Sequence, residues 1–134
     1  MSDTNTEPRG AAFCPVLRYS DPDAAIEWLA AAFGFRAGMV SRGAEGEVAH
    51  AELNWGASTL MLGAGTAPEA IDGAGTYVVV EDPDAHCARA RQAGAEITME
   101  LTDQPYGSRE YAAKDLEGNN WFFGTYAPDP ASSA

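Results

Sequence analysis

The sequence predicts an α+β chain built from two tandem βαβββ modules whose mixed sheets curl to form a cleft, and three observations lead there. An Asp-Pro-Asp-Ala tetrad beginning at Asp21 returns 61 residues later, beginning at Asp82. Each tetrad follows a short β-prone run, residues 16–19 and 77–80, and opens a segment closed by a glycine, Gly34 and Gly94. Three further β-like segments follow each glycine, so the same unit is written twice.

The elements follow in order. In each tetrad the first Asp supplies an N-cap oxygen, Pro fits the first helical turn, and the closing glycine takes the left-handed position after the helix. In the first helix Ile26, Leu29 and Phe33 recur at helical spacing, which predicts one buried face. In the second, Cys87, Ala88 and Ala90 alternate with Arg89, Arg91 and Gln92, which predicts a more polar helix nearer the surface, with His86 exposed. The predicted strands are 35–40, 47–54 and 59–62 in the first half, then 96–101, 109–114 and 120–126 in the second. Gly-rich connections separate them. Alternation puts Trp121 and Phe123 opposite Phe122, so that pair is expected to pack under a helix.

Composition bounds the partners. At 46% apolar and 21% charged the chain is globular, and 134 residues suffice for one domain with a sizeable core. That domain is expected over residues 12–127, with module one at about 12–63 and module two at about 75–127. The polar ends, 1–11 and 128–134, are expected to be disordered and frayed. Eight Lys and Arg against 20 Asp and Glu leave a net charge of −12. With one lysine, Lys114, and scattered arginines, the chain lacks the clustered cations that phosphate binding needs, so no nucleic acid is expected. No apolar run approaches the roughly 20 residues of a membrane span, and the first ten residues carry no signal core. A cytoplasmic location without membrane contact is the expectation. Cys14 and Cys87 form no CxxC pair and are expected to stay reduced.

The paired modules, the Pro15-Val16-Leu17-Arg18-Tyr19-Ser20-Asp21 opening, and the closing Asp103-Gln104-Pro105-Tyr106-Gly107-Ser108-Arg109-Glu110 with Asp115-Leu116-Glu117-Gly118-Asn119 together carry a resemblance. The chain resembles the vicinal oxygen chelate superfamily, and within it the glyoxalase/bleomycin-resistance/dioxygenase-like group. The resemblance implies the fold of that name and, in its metal-dependent members, one His, Gln or Glu ligand on the first strand of each module and another on the last. Counted from the helix caps and turn glycines, those places hold Cys14, Gly75, Leu60 (Met61 if the turn is shifted) and Phe122. A divalent ion needs about three or four oxygen or nitrogen ligands, and this set offers one thiol. No metal and no cofactor are expected.

The expected function is therefore that of a metal-independent binding protein of the bleomycin-resistance type, sequestering an aromatic or cationic antibiotic or metabolite. The resemblance also implies a homodimer. The expected ligand-binding residues are Tyr106, Phe122, Leu60, Cys14, Trp55, Arg109 and His50. Tyr106 stands where resistance proteins carry an aromatic ring. Trp55 could equally cap the core, and Arg109 could equally pair with an acid. The alternative is a glyoxalase-like lyase or isomerase in which His50 and Glu52, on one face of their strand, transfer protons.

Overall fold

The computed structural model describes residues 8, 10–66 and 73–129. Most of the polar ends and part of the link between the modules lie outside the described residues.

The first module runs β1 (Val16–Tyr19), α1 (Pro22–Phe33), β2 (Arg36–Arg42), β3 (Val48–Trp55) and β4 (Ser58–Ala64). The second runs β5 (Thr76–Val79), α2 (Pro83–Gln92), β6 (Glu96–Asp103), β7 (Arg109–Lys114) and β8 (Asn120–Gly124). Each builds its own four-stranded sheet, in the orders β1-β4-β3-β2 and β5-β8-β7-β6. In both, the first strand pairs parallel to the last and the remaining pairs are antiparallel. This is the predicted βαβββ order, twice.

The helix boundaries are set by the predicted chemistry. Asp21 Oδ1 accepts from the Ala24 N–H at 3.2 Å and Asp82 Oδ1 from the Ala85 N–H at 3.1 Å, so each cap satisfies one of the four unpaired donors of a helix start. At the other end Gly34 adopts φ 80° while its N–H donates to Ala30 O at 3.0 Å. A side chain there would crowd the following carbonyl.

By contact the chain groups into two compact units. The first holds β1, most of α1 and β2–β4, and its core is made by Tyr19, Leu29, Phe35, Leu53, Leu60 and Leu62. The second takes the last turn of α1, Ala31–Phe33, together with β5, α2 and β6–β8. There α2 packs on β6 and β7. Phe33 packs against Trp121 and Phe123, with ring centroids 5.6 and 4.8 Å apart. Trp121 and Phe123 are both buried on this side, as their alternation with Phe122 predicts.

Replacing Gly34 with Ala forces a side chain into the left-handed region and is expected to destabilise the protein by about 1–2 kcal/mol. Urea unfolding monitored by circular dichroism measures it. An unchanged midpoint would show that the turn relaxes to another geometry.

Candidate functional site

Strand register decides which side chains share a face. In the second unit β5 and β7 pair with β8 through Tyr77↔Phe122, Ala112↔Phe122 and Glu110↔Gly124. Tyr77, Phe122, Ala112 and Glu110 therefore project from one face, while Trp121, Phe123 and Tyr111 project from the buried one. Gly75 lies on the same side as Tyr77, two residues earlier. A Cβ on Gly75 would stand 2.6 Å from Phe122 Cε2 and 2.7 Å from Asn120 O, so the Phe122 ring fills the space that a side chain at position 75 would need. At these two counted ligand positions the chain thus offers no donor atom. Among the described residues no three His, Cys, Asp or Glu side chains are grouped to hold a metal ion. The residues present do not fit the metal of the metal-dependent relatives.

A second glycine shapes the same face. A Cβ on Gly124 would meet Glu110 Cγ at 2.6 Å, the Tyr77 hydroxyl at 2.7 Å and Ser108 Oγ at 3.0 Å, so these three groups converge over bare backbone. The Tyr77 hydroxyl donates to Tyr126 O at 2.7 Å, and Ser108 Oγ accepts from the Tyr126 N–H at 3.0 Å. The Tyr106 hydroxyl donates to Glu110 Oε1 at 2.8 Å, and its ring meets that of Tyr126 edge-on, with centroids 6.4 Å apart. Burial pushes the Tyr77 phenol up, and the bond to Glu110 pushes that of Tyr106 up. Tyr106 itself is 63% exposed, on a turn closed by Gln104 N–H to Ser108 O at 2.8 Å.

In the first unit the register is Val16↔Met61 and Glu52↔Met61. The equivalent of Phe122, which pairs with Tyr77 and Ala112, is therefore Met61 and not Leu60. Leu60 pairs with Leu53, is 6% exposed and belongs to the core, which corrects its expected place in the site. The count failed because Met61 lies five residues after Gly56, past the two-residue turn between the paired Trp55 and Ser58, whereas Phe122 lies four residues after Gly118. Cys14 is an exposed free thiol just before β1, where Pro15 O accepts from the Met61 N–H at 2.9 Å. His50 and Glu52 do share a face, and His50 Nε2 lies 3.0 Å from Glu52 Oε2 with both side chains about one third exposed.

Three further expectations resolve. Trp55 is on the Leu53 side of β3, half-buried, and packs edge-on to Phe35 with centroids 5.9 Å apart, the contact expected of its core-capping alternative. Arg109 pairs with Asp84 at 2.6 Å and Asp103 at 3.1 Å, which ties β7 to the first turn of α2 and is the ion-pair alternative expected for it. The paired carboxylates hold its guanidinium more firmly charged. His86 is not exposed. It is 9% exposed, with Nε2 2.8 Å from Phe33 O and Nδ1 2.6 Å from the Tyr111 hydroxyl. A carbonyl only accepts, so Nε2 carries the proton and Tyr111 donates to Nδ1. The alanine-rich, arginine-studded pattern of α2 hid this, because its arginines lie off the buried side that Cys87 and Ala90 share with His86.

The comparisons with known proteins fit this architecture. The model of the Glyoxalase/Bleomycin resistance protein/Dioxygenase superfamily matches residues 13–123, across both modules, and the chain belongs to that superfamily. Among similar proteins, the uncharacterized protein Mb0911c of Mycobacterium bovis is 32% identical over 132 residues, covering 90% of this chain and 84% of that protein. Among solved structures, TioX from Micromonospora sp. ML1 is 36% identical with a TM-score of 0.71, covering 89% of this chain and 98% of the other. The fosfomycin resistance protein FosX from Listeria monocytogenes, complexed with Mn(II) and sulfate, shares the fold at 11% identity and a TM-score of 0.71, covering 87% and 93%.

The buried His86 makes stability depend on pH. Burial lowers its folded pKa below the ordinary 6.5, so the unfolded chain takes up this proton first as pH falls. Its contribution is full above about pH 6.5 and is lost as pH falls toward the folded value, at about 1.4 kcal/mol per unit of difference. Urea unfolding from pH 7.5 to 5 should therefore show a steeper loss for the parent than for His86→Gln. Equal slopes would show that the imidazole titrates alike in the folded and the unfolded chain.

Proposed function

We propose that the chain binds a small organic molecule without a metal ion, in the manner of a bleomycin-resistance protein, and sequesters an aromatic or cationic antibiotic or metabolite. The observation that carries this reading is the replacement of a ligand pair by Gly75 and Phe122, with the ring occupying the space of the missing side chain. An apolar ring beside Tyr77 suits a flat ligand through burial and stacking. Tyr106, held on its short turn, loses little entropy on stacking and is the second contact of this reading. Membership of a family with antibiotic-resistance proteins supports the class. The homodimer that the resemblance implies and the cytoplasmic location expected from the sequence belong to the same proposal. Among the described residues no helix is long and apolar enough to cross a membrane.

The His50–Glu52 hydrogen bond favours a second reading, a lyase or isomerase in which Glu52 orients the imidazole for proton transfer. This reading predicts turnover that His50→Ala abolishes.

A thermal-shift screen against antibiotics and aromatic metabolites tests the binding reading, since a ligand at 100 times its Kd adds roughly 2.7 kcal/mol. For a hit, Phe122→Ala is expected to cost about 1–3 kcal/mol of affinity in calorimetric titration. Full affinity in a folded variant would remove the ligand from this face. Elemental analysis of protein purified without chelator is expected to find no stoichiometric Ni, Zn, Fe or Mn, and finding one would overturn the metal-free claim.

A further inference from the structure

Glu110 stands beside the hydroxyl ends of Tyr106 and Tyr77. Its Oε1 accepts the Tyr106 hydroxyl, and among the described residues it has no Lys or Arg partner. The nearest positive charge on its own face of β7 is Lys114, four residues along the strand. Gly124 leaves room for the carboxylate stem to settle beside the Tyr77 hydroxyl, and the Tyr106 ring, whose hydroxyl the carboxylate holds, meets the Tyr126 ring edge-on. The same fixed hairpin turn that carries Tyr106 holds the arrangement in advance of any ligand.

From this we propose that Glu110, with the rings of Tyr77, Tyr106 and Tyr126, receives an organic ammonium group, so that the ligand of the binding face is a cation with an aromatic or apolar body. The inference rests on the binding reading above and narrows it. A ring face attracts a weakly hydrated cation through its quadrupole, and one carboxylate supplies the full countercharge. A single carboxylate among phenol rings is a poor site for a hard metal ion, which needs several oxygen ligands. The net charge of −12 adds a long-range field of the right sign. The apolar body of the ligand would then lie along Tyr77 and Phe122, which project from the same face.

The competing view is that Glu110 merely ties Tyr106 to the sheet. Titrations with benzyltrimethylammonium and with neutral benzyl alcohol, followed by amide chemical shifts, separate the two. The ammonium probe is expected to shift the amides of Gly107, Glu110 and Gly124 saturably and to weaken at high salt, while benzyl alcohol is insensitive to salt. Glu110→Gln keeps an acceptor for the Tyr106 hydroxyl and removes only the charge. It should weaken the ammonium probe about tenfold, a difference of about 1.4 kcal/mol, and leave benzyl alcohol and the melting temperature unchanged. Tyr106→Phe keeps the ring and frees the carboxylate, so ammonium binding should survive. Equal affinity of parent and Glu110→Gln for the ammonium probe, or loss of binding in Tyr106→Phe as large as in Glu110→Gln, overturns the inference. If benzyl alcohol alone shifts Tyr77 and Phe122, the cation inference fails and the binding face stands. If neither probe shifts the second sheet, both fail together.

Discussion

The parallel pairing of first strand with last strand in each module is the constraint on which the rest depends. It places Tyr77 beside Phe122 and Val16 beside Met61, and the period of two then fixes what each face can present. A slip of one residue in β8 would exchange Phe122 for Trp121 and Phe123 and ruin both faces at once. The buried side resists that slip. Trp121, Phe123, Tyr111, His86 and the Phe33 ring form one aromatic cluster, and each fully buried ring adds about 1.5–3 kcal/mol relative to exposure. The cluster that stabilises the second unit is thus also what aims Phe122 and Glu110 at the other face.

Much of the fold was legible because its signals are local. The Asp-Pro pairs and closing glycines mark both helices, and the structure places each Asp oxygen on the N–H three residues on. The partition of Phe122 from Trp121 and Phe123 needed only alternation. What was not legible depends on register or on contacts distant in sequence. Leu60 and Met61 differ by one position, and only the pairing of β4 with β1 and β3 decides between them. His86 looked like a surface residue because its two partners, Phe33 O and Tyr111, lie 53 and 25 residues away. For Arg109 the sequence leaves a ligand contact and an ion pair both open, and only the fold shows that Asp84, 25 residues away, and Asp103 are the acids beside it.

The residues that sequence reasoning passed over share one property. Tyr77, Ser108, Gly124 and Tyr126 belong to separate stretches of the second module and become a group only across β5, β7 and β8. Extending the period of two from Gly75 to Tyr77 and from Phe122 to Gly124 is the signal that could have found them. The superfamily adds context: the fold is shared with a resistance protein complexed with Mn(II), and at the two positions where the resemblance implies metal ligands this chain carries Gly75 and Phe122, which have no donor atom. The fold alone therefore does not fix the function, which rests on the side chains that a few positions carry.

The central claim is that the face bearing Tyr77 and Phe122 is a recognition surface. Its most direct test is an amide chemical-shift map of the protein saturated with a hit from the ligand screen. The account predicts that the largest shifts fall on Tyr77, Ala112, Phe122 and Gly124, with Trp121 and Phe123 little moved. Saturable binding whose shifts cluster instead around His50, Glu52 and Met61, leaving the second sheet untouched, would contradict it.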